Sequence, residues 1–245
     1  MIIENIKKFI FPSRCVICDE VLPYGDGLEN EYLCNECREN IEFIKDPTCK
    51  KCGAMISDKN EVYCTRCKSD LHQNFDYGFG LLRYNDSVKE SLHKIKYGGR
   101  KEYIYFYGKC IAKKYANKFK EINPDYLVPI PIHKRRLIKR NYNQASVIAY
   151  AISDELKKYD IDIPVNENLI FRTKNTEVLN KLDYEDRLIE LNDAFYASDL
   201  SGIDKVILID DIYTTGATID KIAKVMKENG VNKLYFATIA IVDNL

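Results

Sequence analysis

From residue 75 onward, short apolar runs alternate with stretches whose apolar residues recur at helical spacing. Residues 75–84 (FDYGFGLLRY) predict a strand, and residues 87–96 a helix capped by Asp86. Ile104, Tyr107, Ile111 and Tyr115 keep helical spacing between Tyr103 and Phe119, which puts Cys110 on or beside a buried stripe as a small core residue. Residues 126–131 (YLVPIP) predict a short strand stopped by proline, and Ala145, Ile148, Ala149, Ile152 and Leu156 mark the next helix. The uninterrupted run Val206, Ile207, Leu208, Ile209 suits a strand buried on both faces. Ile219, Ile222, Ala223 and Met226 then mark a helix that Gly230 can end, and residues 234–242 form another strand. This alternation predicts an α/β domain with a mainly parallel sheet and helices on both faces.

Residues 1–68 read differently, with few long apolar runs and many Gly, Pro, Asn, Asp and Cys residues. Eight of the nine cysteines lie there, and only Cys110 follows, so composition divides the chain into residues 1–72 and 73–245. Ile2, Ile3, Ile6, Phe9 and Ile10 share one helical face suited to docking on the body of the protein. With 46% hydrophobic residues the chain can bury an ordinary core. Lys plus Arg and Asp plus Glu are each 37, so no global basic field steers nucleic acid, and any such contact must come from a local patch. No run approaches the roughly 20 apolar residues of a membrane helix, and Glu4, Lys7 and Lys8 interrupt the opening segment. A cytoplasmic protein is expected.

The eight cysteines form four CxxC pairs, Cys15/Cys18, Cys34/Cys37, Cys49/Cys52 and Cys64/Cys67, separated by 15, 11 and 11 residues. Two such pairs supply the four thiolates of one tetrahedral zinc, so eight fill two closed, structural sites. Adjacent pairing costs less loop closure and gives two zinc ribbons; interleaved pairing is the alternative. Closed sites leave recognition of a partner or nucleic acid as the module's remaining use. His72, His93 and His133 form no ligand cluster.

The candidate chemistry lies in VILIDDIYTTGAT, residues 206–218. The predicted strand delivers Asp210 and Asp211 to the sheet's carboxyl edge, where open α/β folds bind ligands. Backbone N–H groups, the hydroxyls of Thr214, Thr215 and Thr218, and the helix beginning at Ala217 can hold a phosphate, and Gly216 permits its close approach. The carboxylates suit ribose hydroxyls and, indirectly, Mg²⁺. No Walker loop or dinucleotide fingerprint is present. Five cations, Lys134, Arg135, Arg136, Lys139 and Arg140, follow the YLVPIP strand, and guanidinium groups there can bind phosphate oxygens. Residues 172–187 are polar, with Arg172, Lys174, Thr176, Lys181 and Asp183, and read as a surface loop or a lid over the reaction centre.

The VILIDDIYTTGAT stretch resembles the phosphoribosyl-pyrophosphate (PRPP) motif of type I phosphoribosyltransferases, which implies that the acidic pair meets the ribose and that Asp210, Asp211, Thr214, Thr215, Gly216, Ala217 and Thr218 bind PRPP. LVPIPIHKRRLIKRNYNQA is similar to the VPxP…R…RGFNQ segment of the ComF family, KYGGR to its short basic turn, and RTKNT…R…AF to its mobile-loop region. Asn141 stands where that family usually has Gly, Leu179 where many members have Gln, and Glu190 where many have Asn. The resemblance implies a double zinc ribbon with two structural Zn²⁺ ahead of a type I phosphoribosyltransferase-like domain. It also implies a glycosyltransferase binding PRPP with Mg²⁺, with Arg136, Arg140 and Arg172 as catalytic residues and an unidentified nitrogen nucleophile as acceptor. The alternative it carries is a regulatory PRPP-binding competence protein that meets single-stranded DNA or the DNA-uptake machinery.

Overall fold

The computed structural model describes residues 12–22, 32–68, 74–174 and 193–242. The expected helical face at Ile2, Ile3, Ile6, Phe9 and Ile10 lies outside them, as do His72, the boundary at residues 72 and 73, and Thr176, Leu179, Lys181, Asp183, Arg187 and Glu190.

A four-stranded parallel sheet organises the chain: β1 (Tyr77–Arg83), β6 (Lys233–Ile241), β5 (Lys205–Tyr213) and β2 (Tyr126–Pro129), in that spatial order. A second, antiparallel ribbon joins β3 (Ile170–Arg172) to β4 (Phe195–Ala197). Alternate residues of β5 point to opposite faces. Ile207 and Ile209 enter one hydrophobic cluster, Val206 and Leu208 another, so the strand is covered on both sides as its composition predicts.

The first cluster is built by three long helices. These are α3 (Asp86–Tyr97), through Val88, Leu92 and Ile95; α4 (Glu102–Ile122), through Tyr103, Tyr107, Ile111 and Phe119; and α6 (Gln144–Leu156), through Ile148 and Ile152. The second cluster receives α7 (Ala217–Glu228), through Ile219, Ile222 and Met226. The placement follows from crossover handedness. The β1-to-β2 and β5-to-β6 connections run in opposite directions across the sheet, so right-handed crossovers put α4 and α7 on opposite faces. The expected α/β architecture with helices on both faces is therefore the observed one.

Local differences have local causes. Helix α3 is capped by Asn85, one residue before the expected Asp86; its side chain accepts from the Val88 N–H at 3.0 Å. The basic run forms a short helix, α5 (Lys134–Arg140), started by His133 Nδ1 accepting from Arg135 N at 3.3 Å and ended by Asn141 in the left-handed conformation, φ 61°. Asn tolerates that conformation, so the turn persists without glycine. Cys110 is partly buried against the first cluster, and burial pushes its thiol up to about 11.

The cysteine-rich segment wraps the free edge of β1. Phe43 bridges Leu82 in antiparallel register, Ile44 N donates to Leu81 O at 3.0 Å and Arg83 N to Glu42 O at 2.9 Å, covering an edge that would otherwise expose unpaired backbone groups. The segments before and after this link lie on opposite faces of the sheet: Cys15, Val16 and Ile17 join the first cluster, and Cys49, Cys52 and Cys64 the second. Gly53, at φ +74°, lets the later segment lie directly on β1, since a Cβ there would sit 2.4 Å from the Gly78 carbonyl oxygen and 2.9 Å from Phe79 Cα. Both obstacles are backbone. Gly53→Ala is expected to lower unfolding stability by about 2–4 kcal/mol, measured by denaturant titration of the zinc-loaded protein; an unchanged midpoint would contradict this packing.

Candidate functional site

The cysteines gather into two groups, Cys15/Cys18/Cys34/Cys37 and Cys49/Cys52/Cys64/Cys67, with all ligand atoms in each within 4.8 Å of one another. Adjacent pairing is thus the arrangement present. Cys18 Sγ and Cys34 Sγ are 3.8 Å apart and Cys52 Sγ and Cys64 Sγ 3.7 Å, matching the edge of about 3.8 Å for a tetrahedron with Zn–S near 2.3 Å. The two clusters repeat one device. Cys15 N and Cys49 N donate to the carbonyls of Glu20 and Ala54, and Asp19 (φ 69°) and Gly53 (φ 74°), each just after a CxxC pair, turn the chain back. Backbone N–H groups of Cys37 and Lys51 point at Cys34 Sγ and Cys49 Sγ. Four thiolates this close together repel one another, and a cation among them offsets that repulsion. The donor set fits two structural zinc ions.

At the carboxyl end of β5, Asp210 and Asp211 emerge half-buried from the core. Asp210 Oδ1 accepts from Asp211 N at 2.8 Å, and Asp211 is ion-paired with Lys96. Burial, and secondarily the Asp211 carboxylate, push the Asp210 carboxyl up to about 7 against the opposing effect of Lys96. The following turn passes Thr214 and Thr215 and enters α7 at Gly216, whose φ of 85° is left-handed and suited to glycine. Asp220 N donates to Gly216 O at 2.8 Å, which starts the helix, and Thr215 Oγ1 accepts from Ala217 N at 3.5 Å.

One cleft at this edge is lined by Asp210, Asp211, Thr214 and Thr218 together with Lys96, Arg136, Arg140, Arg172, Asn143 and Gln144. Segments more than 70 residues apart in sequence thus meet. Arg140 donates to Gln144 Oε1 and to the Tyr97 hydroxyl, both at 3.1 Å, and Asn143 caps α6 while donating to Ile130 O at 3.0 Å. Arg172 ends β3, lies 5.3 Å over the Phe195 ring and donates to Lys174 O at 3.2 Å. Burial, and then the nearby Arg136 charge, bring Arg172 down to about 10. A desolvated guanidinium facing a second one favours an anion between them. Thr215, Gly216 and Ala217 form the backbone turn beside this lining. His133 serves as a cap and the His93 ring packs tilted against Tyr97 at 5.0 Å, consistent with structural roles.

Sequence reading assigned no role to Lys96, although KYGGR marked its turn, or to Gln144, although NYNQ included it. The Lys96–Asp211 ion pair joins distant segments and leaves no local periodic signal, and the Arg140–Gln144 hydrogen bond links the basic helix to the helix after it.

A parallel sheet covered on both faces, an acidic pair and phosphate-type loop at the end of its inner strand, and two four-sulfur sites define a phosphoribosyltransferase-like protein with a double zinc ribbon. The family model described as "Double zinc ribbon domain" matches residues 6–68. Competence protein ComFC of Bacillus subtilis (strain 168) is 31% identical over 211 residues, covering 82% of this chain and 80% of the relative. DNA utilization protein YhgH of Escherichia coli (strain K12) is 23% identical over 225 residues, covering 89% and 92%. The chain belongs to the ComF family. Among solved structures, a purine phosphoribosyltransferase from Pyrococcus horikoshii Ot3 is similar at 18% identity with a TM-score of 0.30, covering 55% of this chain and 75% of that one.

Among the described residues, no helix is long and apolar enough to cross a membrane.

Two measurements follow. Elemental analysis of the purified chain should give about two zinc ions per molecule, and a folded, metal-free preparation would contradict the sulfur geometry. The second concerns Asp210. Its carboxyl ionises near 3.9 when unfolded and near 7 when folded, so between those values the folded state binds more protons. That stabilising contribution is lost as pH rises through 7. Relative to Asp210→Asn, the unaltered chain should therefore lose stability between about pH 4 and 7 and change little above that, and a pH-independent difference would rule out the buried acid.

Proposed function

We propose that the cleft binds PRPP with Mg²⁺ and transfers its phosphoribosyl group to a nitrogen nucleophile, releasing pyrophosphate. The observation that carries this reading is the convergence of Asp210 and Asp211, the loop of residues 214–218 and three arginines around one opening. In this reading the 5′-phosphate occupies the loop, held by its backbone N–H groups, the Thr214, Thr215 and Thr218 hydroxyls and the N-terminus of α7. The ribose hydroxyls lie toward Asp210 and Asp211. The pyrophosphate faces Arg136, Arg140 and Arg172, which neutralise the charge that grows as its bond to the ribose C1 loosens. Oxygen donors of the acidic pair suit Mg²⁺, directly or through water, and the ion would supply further charge neutralisation. The protein's contribution is positioning and electrostatics; departure of pyrophosphate leaves an oxocarbenium-like centre for attack from the opposite face.

A second reading rests on the relatives, whose names speak of competence and DNA utilization. There PRPP is a regulatory ligand, and the protein acts on single-stranded DNA or the uptake machinery without turnover.

Calorimetry should detect Mg²⁺-dependent PRPP binding that Asp210→Ala plus Asp211→Ala abolishes; unchanged binding by the double variant would overturn the site. Pyrophosphate release in the presence of bases, amines or ammonia would establish turnover, and binding without release under any of these conditions would favour the regulatory reading.

A further inference from the structure

The second four-cysteine cluster touches the phosphate loop directly. Arg66 lies between the ligands Cys64 and Cys67, in the short helix α2 (Thr65–Lys68). Its guanidinium donates to the Thr214 carbonyl oxygen and lies 5.9 Å over the Tyr213 ring. That ring is held in turn: it stacks on Phe236 at 4.7 Å with an interplanar angle of 6°, and Phe75 meets both rings edge-on. On the other side of the loop, Asn74 donates through its backbone N–H and Nδ2 to the Asp220 carboxylate at 3.1 and 3.0 Å. Asp220 is buried in the first turn of α7. The cluster, through Arg66, and the chain after it, through Asn74, therefore grip both ends of the turn that contains Gly216.

We infer that Arg66 is a positioning residue: held by the metal-bound Cys64/Cys67 knuckle, it fixes the peptide plane that aims the Thr215 N–H at the 5′-phosphate. The Thr214–Thr215 peptide is trans, since the only cis bond among the described residues is Asp46–Pro47. In a trans peptide the carbonyl and the following N–H point in opposite directions. Anchoring Thr214 O on the ribbon side therefore turns the Thr215 N–H away from the ribbon. A cationic donor on the carbonyl also polarises the peptide and makes its N–H a better donor. Zinc enters because Arg66 sits between two ligands: with both thiolates on one ion the knuckle backbone is fixed, and the guanidinium meets the loop at little ordering cost. Among the described residues, the first cluster's segment instead contacts α3 at Ser91 and Lys94, α4 at Tyr103, and the turn between them at Arg100.

This inference rests on the phosphate reading of the loop, and its test separates the two. Ribose 5-phosphate and inorganic pyrophosphate are titrated separately, with Mg²⁺, into the zinc-loaded full chain, Arg66→Ala and Arg66→Lys, all confirmed at equal zinc content. Arg66→Ala should weaken ribose 5-phosphate about tenfold and leave pyrophosphate within about twofold, because the latter faces the distant arginines. Arg66→Lys should recover part of the loss, since an ammonium still donates to Thr214 O. Amide exchange at residues 214–216 should be faster in Arg66→Ala. Equal affinity for ribose 5-phosphate, or an equal loss of both probes, would overturn the positioning role. If the unaltered chain binds neither probe, the phosphate reading fails; the exchange rates then decide alone, and unchanged rates would overturn the role of Arg66.

Discussion

The site depends on the desolvation of β5. The strand lies between β6 and β2 and is covered on both faces, so residues 206–209 are fully buried in the two hydrophobic clusters and charge enters where the strand leaves the core. Asp210 and Asp211 occupy that exit, with Asp210 in register with Thr238 of β6. Two adjacent carboxyls at the mouth of a hydrophobic core repel one another, and both are partly desolvated. The fold answers this asymmetrically: Lys96 is brought to Asp211, and Asp210 takes up a proton near neutrality. The cationic lining from α3, α5 and β3 converges on the same place.

The cysteine-rich segment braces the part of this lining that carries Lys96. A metal-stapled module has little core of its own, and here it adds to a larger one, contributing one cluster to each sheet face and closing the edge of β1 between them. The first cluster fixes the region that presents Lys96. Asp19 accepts from Arg100 and Tyr103, and Lys94 donates to Ile17 O at 2.9 Å, on either side of the turn at residues 97–100. The Tyr142 hydroxyl, donating to Ile95 O, ties that turn to the segment carrying Arg140 and Gln144. The second cluster holds the opposite rim through Arg66 and Asn74. The zinc sites, though far from the acidic pair in sequence, lie behind its two walls.

The inner strand, the acidic pair, the phosphate-type loop and the four CxxC pairs were legible because each is contiguous and its chemistry repeats at short spacing. The basic helix α5 was not. Arg135/Lys139 and Arg136/Arg140 place like charges one turn apart, which disfavours a helix locally; the structure forms one by capping both ends with His133 and Asn141. β3 and β4 are three residues each and gain strand character only by pairing with one another across residues 175–192. The contacts of Arg66 and Lys96 cross 148 and 115 positions, and such pairings are fixed by tertiary packing, which no single-chain periodicity encodes.

The two perturbed groups of the cleft constrain its ligand together. Burial and a neighbouring negative charge raise the Asp210 carboxyl, so a cation at the acidic pair relieves it. Arg172 is depressed by burial and by a neighbouring positive charge, so an anion between it and Arg136 relieves it. A simple anion would satisfy the arginines and aggravate the carboxyls; a free cation would do the reverse. The ligand proposed above, with phosphate groups and a divalent cation in one complex, would satisfy both walls at once.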